Sequence, residues 1–248
     1  MIALVGLGEM GMAVAERLIA AGHPLAIHPR GPKHLAWASE RGVAIKSSVI
    51  DAVRDARFVI ICLFNDQQVR EVIDDRFLAA LPADATIILH TTGRPDTAIG
   101  IGHRGAIIDA PFSGTARDIA AGTVTLLVGG EEATLERCRP VLEAYADPIL
   151  HTGPLGAGQQ VKLVNNLLFA AHVRLARDAA RLLDGKLGPL LQCSGASRAI
   201  ELMCPVGAET FAAHAERFIR KDVAVCLDVA ASAGIDTGEL GRVAGLEN

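Results

Sequence analysis

Up to residue 153, short apolar runs alternate with segments whose apolar residues recur every three or four positions. The runs at residues 2–5, 25–28, 57–63, 86–89, 106–109, 123–128 and 148–151 predict strands. Between them, residues 10–18, 33–41, a segment capped by Ser47 or Ser48, 66–73, a stretch opened by Pro95, and 131–145 predict helices. The run RFVIICL at 57–63 is apolar on both faces, as a strand inside a parallel sheet must be. This alternation predicts a doubly wound α/β sheet, in which loops after the strands' carboxyl ends line the ligand crevice. Those loops hold Leu63 and Phe64, Thr91 and Thr92, and residues 110–115.

Beyond Gly153 the pattern changes. A glycine-broken approach, GPLGAG, leads into a helical pattern that runs uninterrupted to near Gly185. After it come only helical patterns, at residues 208–226 and 236–243. The expected organisation is a Rossmann-type domain over residues 1–153 and a smaller all-α domain over 154–248, joined by the long helix.

The first loop carries the most specific chemistry. Gly6, Gly8 and Gly11 have the G-x-G-x-x-G spacing, directly after the first strand and opening the first helix. In that setting Gly6 permits the tight turn, Gly8 lets the backbone approach a pyrophosphate, and Gly11 lets helix and strand pack closely. Leu7, Glu9 and Met10 complete the turn. The loop after the second strand, His28-Pro29-Arg30, has no acid to hold the ribose hydroxyls of NAD. Arg30, and less directly Lys33, can pair with a 2′-phosphate, which points to NADP with NADPH preferred over NADH. A solvated basic turn is the other reading of the same residues.

On the long helix, Lys162 and Asn166 stand four apart and share a face. A lysine there can protonate a carbonyl oxygen as hydride arrives, and an asparagine can orient that oxygen; a surface lysine beside a packing asparagine fits the spacing too. The formal charge of −4 over 248 residues gives no electrostatic footprint for nucleic acid. No apolar run is long enough to span a bilayer. Five scattered cysteines without a C-x-x-C pair, and eight histidines without a close His/Cys cluster, predict reduced thiols, a cytoplasmic protein and no metal.

Three segments together resemble the β-hydroxyacid dehydrogenase family, which contains 3-hydroxyisobutyrate dehydrogenase, tartronate semialdehyde reductase and glyoxylate or succinic semialdehyde reductases, with a nucleotide domain like that of 6-phosphogluconate dehydrogenase. They are Gly6-Leu7-Gly8-Glu9-Met10-Gly11, then Asp109-Ala110-Pro111-Phe112-Ser113-Gly114 through Gly122-Thr123, then Gly153 to Gly158 followed by Lys162, Asn165 and Asn166. Lys221-Asp222-Val223 is a fourth, weaker match. The resemblance implies Lys162 as general acid/base, Asn166 as its partner, and Ser113 and Gly114, with Thr115 beside them, as binders of the substrate carboxylate. It implies cofactor contacts from Leu63, Phe64 and Thr92, and from Lys221 of the helical domain. The chain departs from the family pattern at Phe64 (usually proline), Thr115 (usually glycine) and Arg177 (usually glutamate), and its helical domain is shorter than usual.

The implied activity is hydride transfer between NADP(H) and a small 3-hydroxy acid or its semialdehyde, a small-molecule carboxylate or carbonyl substrate. An imine or other carbonyl reductase on the same scaffold, or a non-catalytic NADP-binding protein, are the alternatives; Lys162 speaks for a carbonyl substrate. Apolar residues Leu163, Leu167, Ala170, Ala171, Leu175, Leu182 and Leu183 spread around much of the long helix, which predicts a homodimer.

Overall fold

A computed structural model describes residues 1–245, without the side chains of residues 217 and 218; the last three residues of the expected helical domain lie outside it. The chain divides into two compact units, Met1–Lys162 and Leu163–Asn248. The division falls within the long helix, not at its glycine-rich approach.

The first unit is built on strands β1 (Ile2–Val5), β2 (Leu25–Ile27), β3 (Ala44–Ile45), β4 (Phe58–Ile61), β5 (Thr86–Leu89), β6 (Ile107–Asp109), β7 (Phe112–Ser113), β8 (Val124–Gly129) and β9 (Ala146–Gly153). The helices are α1 (Glu9–Ala20), α2 (Pro32–Glu40), α3 (Val49–Val53), α4 (Asp66–Val72), α5 (Asp75–Ala80), α6 (Pro95–Gly102), α7 (Ala116–Ala121), α8 (Glu132–Leu142) and the start of α9 (Ala157–Leu182). The sheet runs β3-β2-β1-β4-β5-β6, all parallel, and is extended by β8, which is antiparallel to β6 and β7 and parallel to β9.

This is the Rossmann-type sheet expected, with an antiparallel step at one side. The step arises at Pro111, which has no N–H to continue a ladder. Ala110 still donates to the Leu89 carbonyl, whereas Phe112 and Ser113 pair with Leu126 and Thr125 of β8. Leu4, Ile60, Ile88 and Ile108 point to one face of the sheet, beneath α1 and α8; Ala3, Val59, Ile61 and Ile87 point to the other. The central strands are therefore apolar on both faces.

The short helices α5 and α7 lack the length that makes a helical period legible. Their caps were the available signal. Asp74 accepts from the Phe77 N–H at 2.8 Å, and Asp118 accepts from the Thr115 N–H at 2.6 Å.

The second unit holds the rest of α9, a 3₁₀ turn (Gly188–Gln192), α10 (Arg198–Met203), α11 (Ala208–Ser232) and α12 (Gly238–Ala244). It has two apolar clusters. One gathers Val173, Ala176, Ala180, Ile200 and Met203; the other gathers Leu163, Leu167, Val223 and Cys226. No helix among the described residues is long and apolar enough to cross a membrane.

One polar pair lies inside the sheet unit's core. His90, 2 % exposed, places Nδ1 2.6 Å from the Ala110 carbonyl and Nε2 2.9 Å from the Tyr145 hydroxyl. A carbonyl only accepts, so Nδ1 carries the proton and Nε2 accepts from Tyr145. Burial pushes the His90 pKa down from 6.5 to about 4, against the opposing effect of the Ala110 bond.

Between those values the unfolded chain binds a proton that the folded chain refuses, so stability rises with pH across the window and is lost as pH falls through it. From pH 6.5 to pH 5 the loss from His90 should be about 1.5 kcal/mol. Urea unfolding of wild type and His90→Asn at both pH values measures it. An equal pH dependence in the two proteins would exclude His90 as the source.

Candidate active site

The ends of β1, β2, β4, β5 and β6 carry most of the residues singled out in the sequence. After β1, Gly6 adopts φ +102°, and a Cβ there would overlap the Cys62 carbonyl oxygen. A Cβ on Gly11 would overlap the Gly6 carbonyl oxygen, so these two glycines are required by the protein's own packing. Gly8 differs: a Cβ there meets nothing within 4 Å. It is also the N-cap of the 12-residue α1 and brings no side chain to the first-turn N–H groups. Open space over unsatisfied donors at the positive end of a helix fits a dinucleotide pyrophosphate. Leu7 and Met10 pack against the core and Glu9 is exposed.

At the end of β2, His28 Nδ1 lies 3.0 Å from the Lys46 carbonyl and Pro29 is buried. The exposed side chains of Arg30 and Lys33 have no hydrogen-bond or ion-pair partner among the described residues. After β4, the Leu63 N–H donates to Thr91 Oγ1 at 2.8 Å and the Phe64 N–H to Gln68 Oε1 at 3.0 Å. The Phe64 side chain is left 63 % exposed. Thr92 is partly buried in the neighbouring loop, which Asp66 braces by accepting from the Arg94 N–H with both carboxylate oxygens.

Two buried side chains, with no local pattern to announce the pairing, hold these loops to α9. Asp109, 0 % exposed, accepts from the N–H groups of Gly156 and Gln159, each at 2.7 Å. Burial raises its carboxyl above the usual carboxylate range, and the backbone donors pull it back down. Gln159 donates through Nε2 to the Thr91 carbonyl and accepts through Oε1 from the Gly93 N–H, both at 2.9 Å. The first turn of α9 is therefore pinned to the loops after β5 and β6. Lys162, partly buried, follows Gln159 by three residues on that helix.

Ser113 is half-buried at the end of β7, and Gly114 follows with φ +144°. Thr115 is the N-cap of α7; its N–H and its hydroxyl both go to Asp118 Oδ2, at 2.6 and 2.7 Å.

One turn beyond Lys162, Asn166 is buried in the helical unit and donates to Asp222 Oδ2 at 2.6 Å. Asp222 Oδ1 lies 2.6 Å from Lys221 Nζ on α11. No sequence pattern assigns Asp222 this role, because a contact between residues 56 apart leaves no local trace. Among the described residues, no group of three His, Cys, Asp or Glu side chains could hold a metal ion.

Residues 1–153 match the family described as the NAD binding domain of 6-phosphogluconate dehydrogenase. A probable 3-hydroxyisobutyrate dehydrogenase from Mycobacterium tuberculosis is 34 % identical over 254 residues, covering 94 % of this chain and 86 % of that protein. An NAD-dependent L-serine dehydrogenase from Pseudomonas aeruginosa is 39 % identical over 176 residues, covering 68 % of this chain and 59 % of that protein. The solved structure of Mycobacterium tuberculosis 3-hydroxyisobutyrate dehydrogenase with L-serine superposes with a TM-score of 0.86 at 30 % identity, covering 98 % of this chain and 90 % of that one.

The two kinds of glycine should separate on substitution. Gly8→Ala is expected to stay within about 1 kcal/mol of wild-type stability, since its cost is that of a changed N-cap. It should weaken dinucleotide binding about tenfold or more, equivalent to about 1.4 kcal/mol. Gly11→Ala should destabilise the fold by about 1–3 kcal/mol or more by forcing backbone apart. Thermal unfolding with fluorescence titration checks both, and a Gly8→Ala protein with unchanged dinucleotide affinity would refute the pyrophosphate cradle.

Proposed function

The chain belongs to the β-hydroxyacid dehydrogenase family, and from that premise we propose that it transfers hydride between NADP(H) and a small 3-hydroxy acid or its semialdehyde. The observation that carries the reading is the placement of Lys162 and Asn166 one turn apart on a helix whose first turn Asp109 and Gln159 tie to the β5 and β6 loops. The relatives' named substrates, 3-hydroxyisobutyrate and L-serine, share a hydroxymethyl carbon next to a carbon that bears a carboxylate. That shared unit is the substrate class proposed for this chain.

The bound nicotinamide supplies the hydride acceptor for oxidation and the donor for reduction. The protein's own residues hold the acid and move the proton. Ser113 and the Gly114 backbone bind the carboxylate by hydroxyl and N–H donation. The hydroxyl proton passes to neutral Lys162 during oxidation, and protonated Lys162 returns it to the carbonyl oxygen during reduction. Asn166, its amide fixed by Asp222, orients the reacting oxygen. Thr115 spends both its hydroxyl and its N–H on Asp118, so substrate binding falls to Ser113 and the Gly114 backbone.

Preference for NADPH is supported by Arg30 after β2 and Lys33 at the start of α2, cations without a partner among the described residues, in a loop with no acid. The serine dehydrogenase relative is named for NAD, so the NADPH reading rests on this chain's own residues. A homodimer is supported by α9. Of the apolar residues named from the sequence, Leu163, Leu167, Ala170 and Ala171 are buried. Leu175 and Leu182 stay exposed, and with Val161 and Leu168 they form a stripe at seven-residue spacing that a second copy would cover.

Three outcomes are expected. Lys162→Ala should retain cofactor affinity and lose roughly 10²–10⁴ in turnover, the range for a positioned acid–base group; near-wild-type turnover on 3-hydroxyisobutyrate or L-serine would sink the mechanism. NADPH should bind about tenfold or more tightly than NADH, with Arg30→Ala removing the difference. Fluorescence titration decides this, and equal affinities in wild type defeat it. Light scattering at micromolar concentration should give twice the 26.0 kDa chain mass, and a mass of one chain would exclude the dimer.

A further inference from the structure

The break in the sheet at Pro111 leaves a polar group that the ladder cannot serve. Ala110 is fully buried and its N–H reaches Leu89, but its carbonyl faces a chain that turns away toward β8. Three residues later stands Ser113. The Ala110 carbonyl is taken by His90 Nδ1 at 2.6 Å, and the His90 ring is held in turn by the Tyr145 hydroxyl at 2.9 Å. The same imidazole stacks on Phe112, with ring centroids 4.2 Å apart and planes 28° apart. His90 thus grips the chain on either side of Pro111, at Ala110 by a polar contact and at Phe112 by an aromatic one.

We propose that His90 and Tyr145 are positioning residues for substrate, a buried strut that sets the direction of the chain at residues 110–112 and thereby the placement of Ser113 and Gly114 against the substrate carboxylate. The inference rests on the reading of Ser113 as an acid-binding residue. It assigns neither residue a contact with substrate or cofactor. Asp109, one residue upstream, has its own anchors in Gly156 and Gln159, and the glycine turn after β1 has its own packing. Loosening the strut should therefore disturb the acid-binding loop, and leave the Lys162 helix and the dinucleotide cradle in place. A pair that only stabilised the core would act otherwise: its loss would reduce the fraction of folded enzyme, lowering apparent kcat with KM unchanged.

The variants are His90→Leu, which removes the strut; His90→Asn, whose amide can donate from nearly the Nδ1 position; and Tyr145→Phe, which removes only the hydroxyl. Steady-state kinetics use 3-hydroxyisobutyrate as the probe, NADPH affinity is read by fluorescence, and Ser113→Ala is run alongside. A lost buried hydrogen bond corresponds to roughly a 2- to 12-fold change. His90→Leu should raise KM for the acid about tenfold with kcat within about twofold and NADPH affinity unchanged, and His90→Asn should restore most of it. Tyr145→Phe, which keeps the ring and tests the strut if His90→Leu does not fold, should raise KM about threefold. Unchanged KM in the strut variants while Ser113→Ala raises it overturns the positioning role alone. Unchanged KM in Ser113→Ala overturns the acid-binding reading and this inference with it.

Discussion

The carboxylate of Asp109 is removed from water at the end of β6 and faces the N–H groups of Gly156 and Gln159 at 2.7 Å. A buried anion without donors is costly, and this one obtains them from the start of α9, where helix geometry leaves N–H groups without partners. The two needs meet in one interaction. It fixes where the long helix begins relative to the sheet, and so fixes where Lys162 stands relative to the loops. The direction of its pKa, raised by burial with the backbone donors opposing, expresses the same balance. The close approach depends on glycine as well, because a Cβ on Gly158 would overlap the Leu127 carbonyl oxygen.

Around that anchor the loops at the sheet's carboxyl edge are tied to one another in sequence. Leu63 donates to Thr91, Gln159 bonds to Thr91 and Gly93, and Asp66 accepts from Arg94. Each bond is short and involves backbone on at least one side, so it holds the course of the chain and leaves side chains such as Phe64 exposed. Among these loops the packing leaves the space over Gly8 open. Rigid loops around a vacant backbone surface are what a dinucleotide site requires, since donors already in place lose little freedom on binding.

The helical unit solves a different problem. Asn166 is buried and polar, and its amide would be costly to leave unpaired. Asp222 accepts from it at 2.6 Å and is itself balanced by Lys221. This holds one amide rotamer on α9 through a contact with α11, within a unit whose two buried clusters are apolar. Surface ion pairs such as Arg139 with Glu136 contribute little by comparison, being solvated and local.

The amino-acid sequence by itself determined the fold class and most of its elements, because apolar period and glycine spacing are local consequences of backbone geometry. β5 lies at residues 86–89 as its apolar run predicts, Pro95 opens α6, and Ser48 caps α3 by accepting from the Asp51 N–H. The three glycines were legible as a turn, and the residues beside Lys162 as a helix face. What only the tertiary structure decided are the pairings between distant residues: Asp109 with Gly156, Gln159 with Thr91, Asn166 with Asp222, His90 with Ala110 and Tyr145. It also decided which apolar residues of α9 are covered, since Leu167 and Leu168 are neighbours in sequence and opposite in exposure. Local pattern says which groups will need partners, and only the packed chain brings those partners within hydrogen-bonding distance.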